Sequence, residues 1–387
     1  MIDTVRGFRD YTGEEASKRA AIRRIIEETF KLYGFEPAET PIIEQEEFVR
    51  GDNEFDEAVS DIFKLKDKGQ RNLALRYELT FQLKRLAQNK KLPYKRYQIG
   101  EVFRDEPITG NRFRQFTQAD IDVIGSSIRD EAEIISLTAK IMKELGINAE
   151  INVNSRKLLN SIIKSLGIDN VEFVLREIDK IDKQGEDAVK SNLAKFIEKG
   201  KIITLFKLLD KNLSFFRRLT GYKEMRELVD SCEEYGVKVN FQPSLARGLS
   251  YYNGSVFEVK SKEVKETIAA GGSYLINNIQ STGISFGLER LSQLARIKTD
   301  EKKVLIISIG KDKEAVKLAE KLRKQGISCL LMYGKPTKAL EYADSYNIKQ
   351  VIFLGSEEVK KRKIKLRDMK TGKEEMLGIK ALIEKLK

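Results

Sequence analysis

The chain has 387 residues, 41% of them apolar and 34% charged, and it contains no histidine. That length exceeds what one hydrophobic core supports, so two or three domains are expected; the missing imidazole excludes Ser-His-Asp and Cys-His pairs, histidine-ligated zinc and histidine general bases. Lys and Arg outnumber Asp and Glu by 71 to 59, and residues 301–387 hold 22 of those cations against 12 anions, a bias that suits a polyanion partner.

The N-terminal run MIDTVRGFRDY lacks the apolar core of a signal peptide, and no run is long enough to span a membrane. Cys232 and Cys329 are far apart and match no metal spacing, so free thiols and a cytoplasmic location are expected. Thr12-Gly13-Glu14-Glu15 has capping-box spacing, and Ile22, Ile25, Ile26 and Phe30 then fall on one helical face. Gly34 ends that helix, and an extended segment follows around Pro41. Residues 96–125 read as two strands joined by the polar loop RDEPITGNR, residues 128–146 as a helix and 147–154 as a strand.

Residues 156–236 are rich in Leu, Ile and Lys at helical spacing, with almost no strand signal, which predicts a helical insertion. Strand patterns return at 238–260, and STGISFGLERLSQLAR reads as strand into helix. After the charged hinge KTDEKK the pattern alternates: VLIISIG strand, KEAVKLAEKLRKQG helix, SCLLMYG strand, KALEYADSYN helix and QVIFLG strand. A hairpin around Thr371-Gly372 and a last helix complete a compact α/β domain. The predicted divisions are 1–155 and 237–300 for two parts of one core, 156–236 for the insertion and 301–387 for the terminal domain.

In RFRQFTQADIDV a period of two places Arg112, Arg114, Phe116, Gln118, Asp120 and Asp122 on one face, with Phe113, Thr117, Ala119, Ile121 and Val123 on the other. The strand before it offers Arg104 and Glu106. Arginines converging from two adjacent strands suit a polyphosphate, although alternation is more often a half-solvated strand. LALRYELT presents Glu78 and Thr80 on one strand face. LARGLSYYNG sets Arg247 before a glycine and two tyrosines, and Arg290 stands at a strand-to-helix junction.

Taken in order, these segments resemble a class II aminoacyl-tRNA synthetase of the histidyl-tRNA synthetase family, in its archaeal–eukaryotic style. VRGFRDY resembles the family's N-terminal signature. YGFEPAETPIIE is similar to motif 1, YQIGEVFRDEPITGNRFRQFTQADIDVIG to motif 2 and STGISFGLERL to motif 3. LARGLSYYNG is similar to the histidine-specific R-G-L-D-Y-Y segment, with Ser250 in place of the Asp. Gly272-Ser273-Tyr274-Leu275 stands where the family has G-G-R-Y-D.

The resemblance implies an α+β fold: an antiparallel catalytic sheet flanked by helices, a helical insertion and a C-terminal α/β anticodon-binding domain. It implies activation of L-histidine by ATP with Mg²⁺, transfer to tRNA-His, and a homodimer. By that resemblance Arg104 and Arg247 are catalytic and approach the α-phosphate from two sides. Arg112 and Arg290 bind the γ-phosphate region, and Glu106 contacts the adenine. Glu78, Thr80 and Gln118 hold the substrate's α-amino group. Asp122, Tyr252, Tyr251 and Tyr274, with Arg247, complete the histidine pocket. No protein side chain is assigned as a metal ligand. The alternative is a non-catalytic synthetase-like regulatory subunit of ATP phosphoribosyltransferase.

Overall fold

The computed structural model describes residues 2–51, 57–108, 112–246, 251–298 and 303–387. The chain separates into two compact units, Met1–Lys298 and Thr299–Lys387. The charged hinge read at KTDEKK lies largely outside the described residues.

The first unit contains β1 (Glu36–Pro37), β2 (Ile43–Gln45), β3 (Lys64–Lys66), β4 (Asn72–Leu75), β5 (Tyr94–Phe103) and β6 (Gln115–Ile124). β7 (Glu150–Ser155), β8 (Asn240–Phe241), β9 (Tyr252–Ser261), β10 (Val264–Ile276) and β11 (Ile279–Gly287) follow. Eight of them form one sheet in the order β1-β5-β6-β11-β10-β9-β7-β8, while β2, β4 and β3 make a small separate sheet. The large sheet is antiparallel except at its edges, where β1 joins β5 and β8 joins β7 in parallel. The expected class, an antiparallel sheet flanked by helices, is the one observed.

The helix Gly13–Leu32 buries Ile22, Ile26 and Phe30, which is why that stretch is helical. Its expected capping box does not form: Thr12 is the N-cap, but its side chain accepts no backbone hydrogen bond. The helix Ile128–Glu144 does carry such a box, with Ser127 N–H donating to Asp130 Oδ2 at 2.8 Å. Among described residues, 156–236 contain helices and no strand. Their Leu158, Val174 and Leu205 share one apolar cluster with Ile121 and Val153 of the sheet. No helix among the described residues is long and apolar enough to cross a membrane. Cys232 and Cys329 are free and buried, and burial pushes the Cys232 thiol up to about 12.

The second unit is an α/β layer of β12 (Val304–Ser308), β13 (Cys329–Tyr333), β14 (Gln350–Leu354), β15 (Ile364–Asp368) and β16 (Glu374–Leu377). Their order is β13-β12-β14-β15-β16. β12 is parallel to both neighbours and buried throughout, which explains its unbroken apolar run. The Asp368 carboxylate accepts the Thr371 N–H at 2.7 Å and so closes the β15–β16 hairpin. A short helix, Ser356–Lys361, was not legible in the sequence pattern.

Candidate active site

The site is assembled on one face of β5, β6, β11 and β10. Register sets Arg96, Gln98 and Gly100 of β5 opposite Asp122, Asp120 and Gln118 of β6. The same β6 residues face Gly283, Ser285 and Gly287 of β11, and beyond them Gly272 and Ala270 of β10. Small residues on two strands beside carboxylates on a third leave a hollow instead of a packed layer. A cleft of about 940 Å³ lies over this face.

At its buried end stand Asp122, Tyr252 and Tyr274, with Tyr251 beside them. The Tyr274 hydroxyl donates to Asp122 Oδ1, and the ring of Tyr251 lies 4.8 Å from that of Tyr252 and 5.5 Å from that of Tyr274. Burial holds the Tyr251 and Tyr274 hydroxyls well above the usual phenol range, so both remain O–H donors. Glu78, Thr80 and Gln118 border the same cavity, and Gln118 Nε2 donates to Ser285 Oγ at 2.7 Å.

The more open end carries the cations. Glu106 draws two of them together: Arg112 Nη1 lies 3.2 Å from Oε2 and Arg104 Nη1 3.7 Å from Oε1. The Arg104 guanidinium also sits 5.1 Å over the ring of Phe116. Arg290, in the first turn of the helix Leu288–Leu294, borders the cleft and donates to the Thr267 carbonyl. Arg247 and Ser250 lie outside the described residues.

Three sequence expectations change. Glu78 and Thr80 are not on a strand: β4 ends at Leu75, the Arg76 carbonyl still accepts the Phe103 N–H at 3.0 Å, and the Tyr77 and Leu79 carbonyls turn to arginines. Arg104 Nε donates to Tyr77 O at 3.0 Å and Arg96 Nη2 to Leu79 O at 2.7 Å, so side chains meet those acceptors where a strand partner would. Arg114 leaves the cleft face because Asp105 pairs with it at 3.0 Å, and its stem packs where a side chain on Gly7 would stand. Phe113, expected on the far face, borders the cleft because regular pairing begins only at Gln115. Ser273, the departure from the family pattern, does not border the cleft; its hydroxyl donates to Glu131 at 2.7 Å.

Two residues of this face escaped the sequence reading of the site. Asp120 was placed on the face but given no role, although burial pushes its carboxyl up to about 7 and its Oδ1 makes no hydrogen bond. Arg96 was not singled out. Even numbers from 96 to 104 share one face of a strand, so the period that selected Arg104 also selects Arg96.

A buried carboxylate beside phenols can pair the two nitrogens of a small heterocycle, and clustered guanidiniums can hold phosphates. The histidyl-tRNA synthetase model matches residues 7–291, and the anticodon binding domain model matches residues 303–387. Histidine–tRNA ligase 1 of Bacillus cereus is 34% identical, over 98% of this chain and 96% of its own. Histidine–tRNA ligase of Finegoldia magna is also 34% identical, over 99% of both. Among solved structures, histidyl-tRNA synthetase from Nostoc sp. PCC 7120 superposes with a TM-score of 0.87 at 24% identity, covering 100% of this chain and 99% of that one. The protein described as an ATP phosphoribosyltransferase regulatory subunit/histidyl-tRNA synthetase from Bacillus halodurans superposes at 0.78 with 23% identity, covering 91% and 98%. These two likenesses speak for the fold alone. The family model over most of the chain and the near-full-length relatives together show that this chain belongs to the histidyl-tRNA synthetase family.

Proposed function

We propose that the cleft joins L-histidine to ATP, releases pyrophosphate, and passes the histidyl group to the terminal ribose of tRNA-His. The observation that carries this reading is the pairing of Tyr274 with Asp122 at the buried end of a cleft whose open end gathers Arg104 and Arg112. A carboxylate and phenols there suit the two ring nitrogens of histidine, and leave unpaired any substrate that lacks them. Asp122, Tyr252, Tyr251 and Tyr274 are the ring-reading groups in this reading. Glu78, Thr80 and Gln118 take the α-amino group.

Activation is attack of the histidine carboxylate on the α-phosphorus. The new C–O–P link forms as the bond to the pyrophosphate oxygen breaks. The nucleophile is already ionised, so no protein base is required, and the obstacle is the approach of two anions. Arg104 is assigned to the α-phosphate with Arg247 opposite, Arg112 and Arg290 to the γ-phosphate end, and Glu106 to the adenine. Arg104 and Arg112 would exchange Glu106 for phosphate oxygens, a stronger multidentate partner.

Among the described residues no three His, Cys, Asp or Glu side chains gather to hold a metal. Mg²⁺ would arrive with the nucleotide, because it keeps water and binds largely through phosphate oxygens. When bound it would supply positive charge that offsets the phosphates.

The basic second unit, matching an anticodon binding domain, is assigned to the anticodon stem-loop. Its presence favours the ligase over the regulatory-subunit alternative. A homodimer through the motif 1 segment agrees with the exposure of Ile42 and Ile43 there. The archaeal–eukaryotic style rests on motif wording, since the relatives named above are bacterial.

The deciding experiment is histidine-dependent ATP–pyrophosphate exchange, followed by charging of tRNA-His. Exchange no faster than a no-amino-acid control, in folded protein, rejects the assignment.

A further inference from the structure

Arg96 heads the fully buried side chains among the described residues, with no solvent exposure. Burying a guanidinium costs several kcal/mol unless something nearby uses the charge. Its register partner across β5 and β6 is Asp122, and its Nη2 lies 2.6 Å from Asp122 Oδ2. The same nitrogen donates to the Leu79 carbonyl at 2.7 Å. Leu79 sits between Glu78 and Thr80. Arg96 Nε and Nη1 and Asp122 Oδ2 make no hydrogen bond, so Arg96 meets Asp122 as an ion pair, and its charge also acts on Asp120.

The charged and titratable groups about Asp122 are few. Arg96 faces it from β5 and Tyr274 from β10, Tyr252 of β9 stands at the same buried end, and Asp120 is two residues away on its own strand. β11 contributes Gly283, which only leaves room. Burial drives the Asp122 carboxyl upward, and the Arg96 charge is the largest influence holding it down, followed by the Tyr274 hydrogen bond.

We propose that Arg96 is a positioning residue for histidine recognition, clamping the Asp122 carboxylate to the Leu79 carbonyl and thereby fixing the ring-reading half of the pocket against the half that holds the α-amino group. The inference rests on the function proposed above, because only there do both halves hold one substrate. Arg96 itself touches no substrate; its charge opposes the upward push of burial on the Asp122 carboxyl and holds that carboxyl in place. Its loss is therefore expected to weaken histidine while sparing ATP, whose assigned ligands lie at the other end of the cleft.

The test is pyrophosphate exchange by the full-length wild type, R96Q and R96K, titrating histidine and ATP separately. R96Q is expected to raise the histidine KM about tenfold or more while changing the ATP KM less than about twofold. R96K keeps a charge and is expected to fall between R96Q and wild type. Relative to wild type, the R96Q histidine KM should improve as pH rises, because without the Arg96 charge nothing but the Tyr274 hydrogen bond opposes the upward push of burial on the Asp122 carboxyl. A loss spread evenly over both substrates, or a fall in kcat that merely tracks the folded fraction by circular dichroism, overturns the proposal. If R96Q does not fold, the same histidine-against-ATP split in R96K supports it, and its absence there overturns it. Wild-type protein without histidine-dependent exchange rejects the parent reading, and this one with it, before any variant is compared.

Discussion

Asp122 and Gly283 face each other across β6 and β11, and the carboxylate occupies the space a side chain on the glycine would need. A Cβ built on Gly283 would lie 2.2 Å from Asp122 Oδ1 and 2.6 Å from the Ile121 carbonyl. Gly283→Ala must therefore push either the carboxylate or the strand aside, at a cost of about 1–3 kcal/mol. A raised histidine KM with a nearly unchanged ATP KM is expected in exchange assays. An unaltered histidine KM in folded Gly283→Ala would show that Asp122 need not hold this position.

Arg104 and Arg112 should separate kinetically although both contact Glu106. Arg104 is locked by the Tyr77 carbonyl and the Phe116 ring, whereas the side chain of Arg112 is 45% exposed. A preorganised cation at a developing charge affects rate, and a mobile exposed one chiefly affects binding. Arg104→Ala should lower the adenylation rate by about 10²–10³. Arg112→Ala should mainly raise the ATP KM, with strong salt dependence. Single-turnover adenylate formation distinguishes the two.

Glu131 should make stability fall with pH. Its carboxylate accepts the Ser255 and Ser273 hydroxyls, but burial dominates and pushes it up to about 7. The fold then keeps a proton that the unfolded chain releases from about pH 4.5, so stability is lost between about 4.5 and about 7 and no further above that. Glu131→Gln removes this loss. Its stability advantage over wild type should grow across that window by at most on the order of 3 kcal/mol. Denaturant titrations at several pH values check it, and a constant difference would mean that Glu131 does not titrate there.

The second unit has its own core, including Val304, Ile306, Leu322 and Ile352. A chain ending at Lys298 should retain most histidine-dependent exchange yet lose tRNA charging by about a hundredfold or more at physiological salt. Restoring charging by raising tRNA concentration would confirm that the loss is one of affinity. Equal losses in the two assays would contradict the division of labour.

Much of the fold was legible because its elements carry simple periods. Ile22, Ile26 and Phe30 mark a helix, and the unbroken VLIIS marks a strand buried on both faces. The period of two placed Gln118 and Asp122 on the cleft face, where the regular strand β6 carries them. The site was misread where the backbone departs from the period. Glu78 and Thr80 sit beyond β4 because arginine side chains, not a strand, satisfy the carbonyls of Tyr77 and Leu79.

By itself the sequence determined the family, through five ordered segments, and the kind of chemistry: a histidine-free chain must work with arginines, carboxylates, tyrosines and metal-borne charge. Tertiary structure alone decided which of those groups meet. Arg96, Asp122, Tyr274 and Gly283 come from four strands, and their proximity depends on strand order and register. A period of two tells which way a side chain points, but not which strand lies beside it. Register is settled by burial of the whole sheet, and that is why the pairing of Arg96 with Asp122 became visible only once the chain was folded.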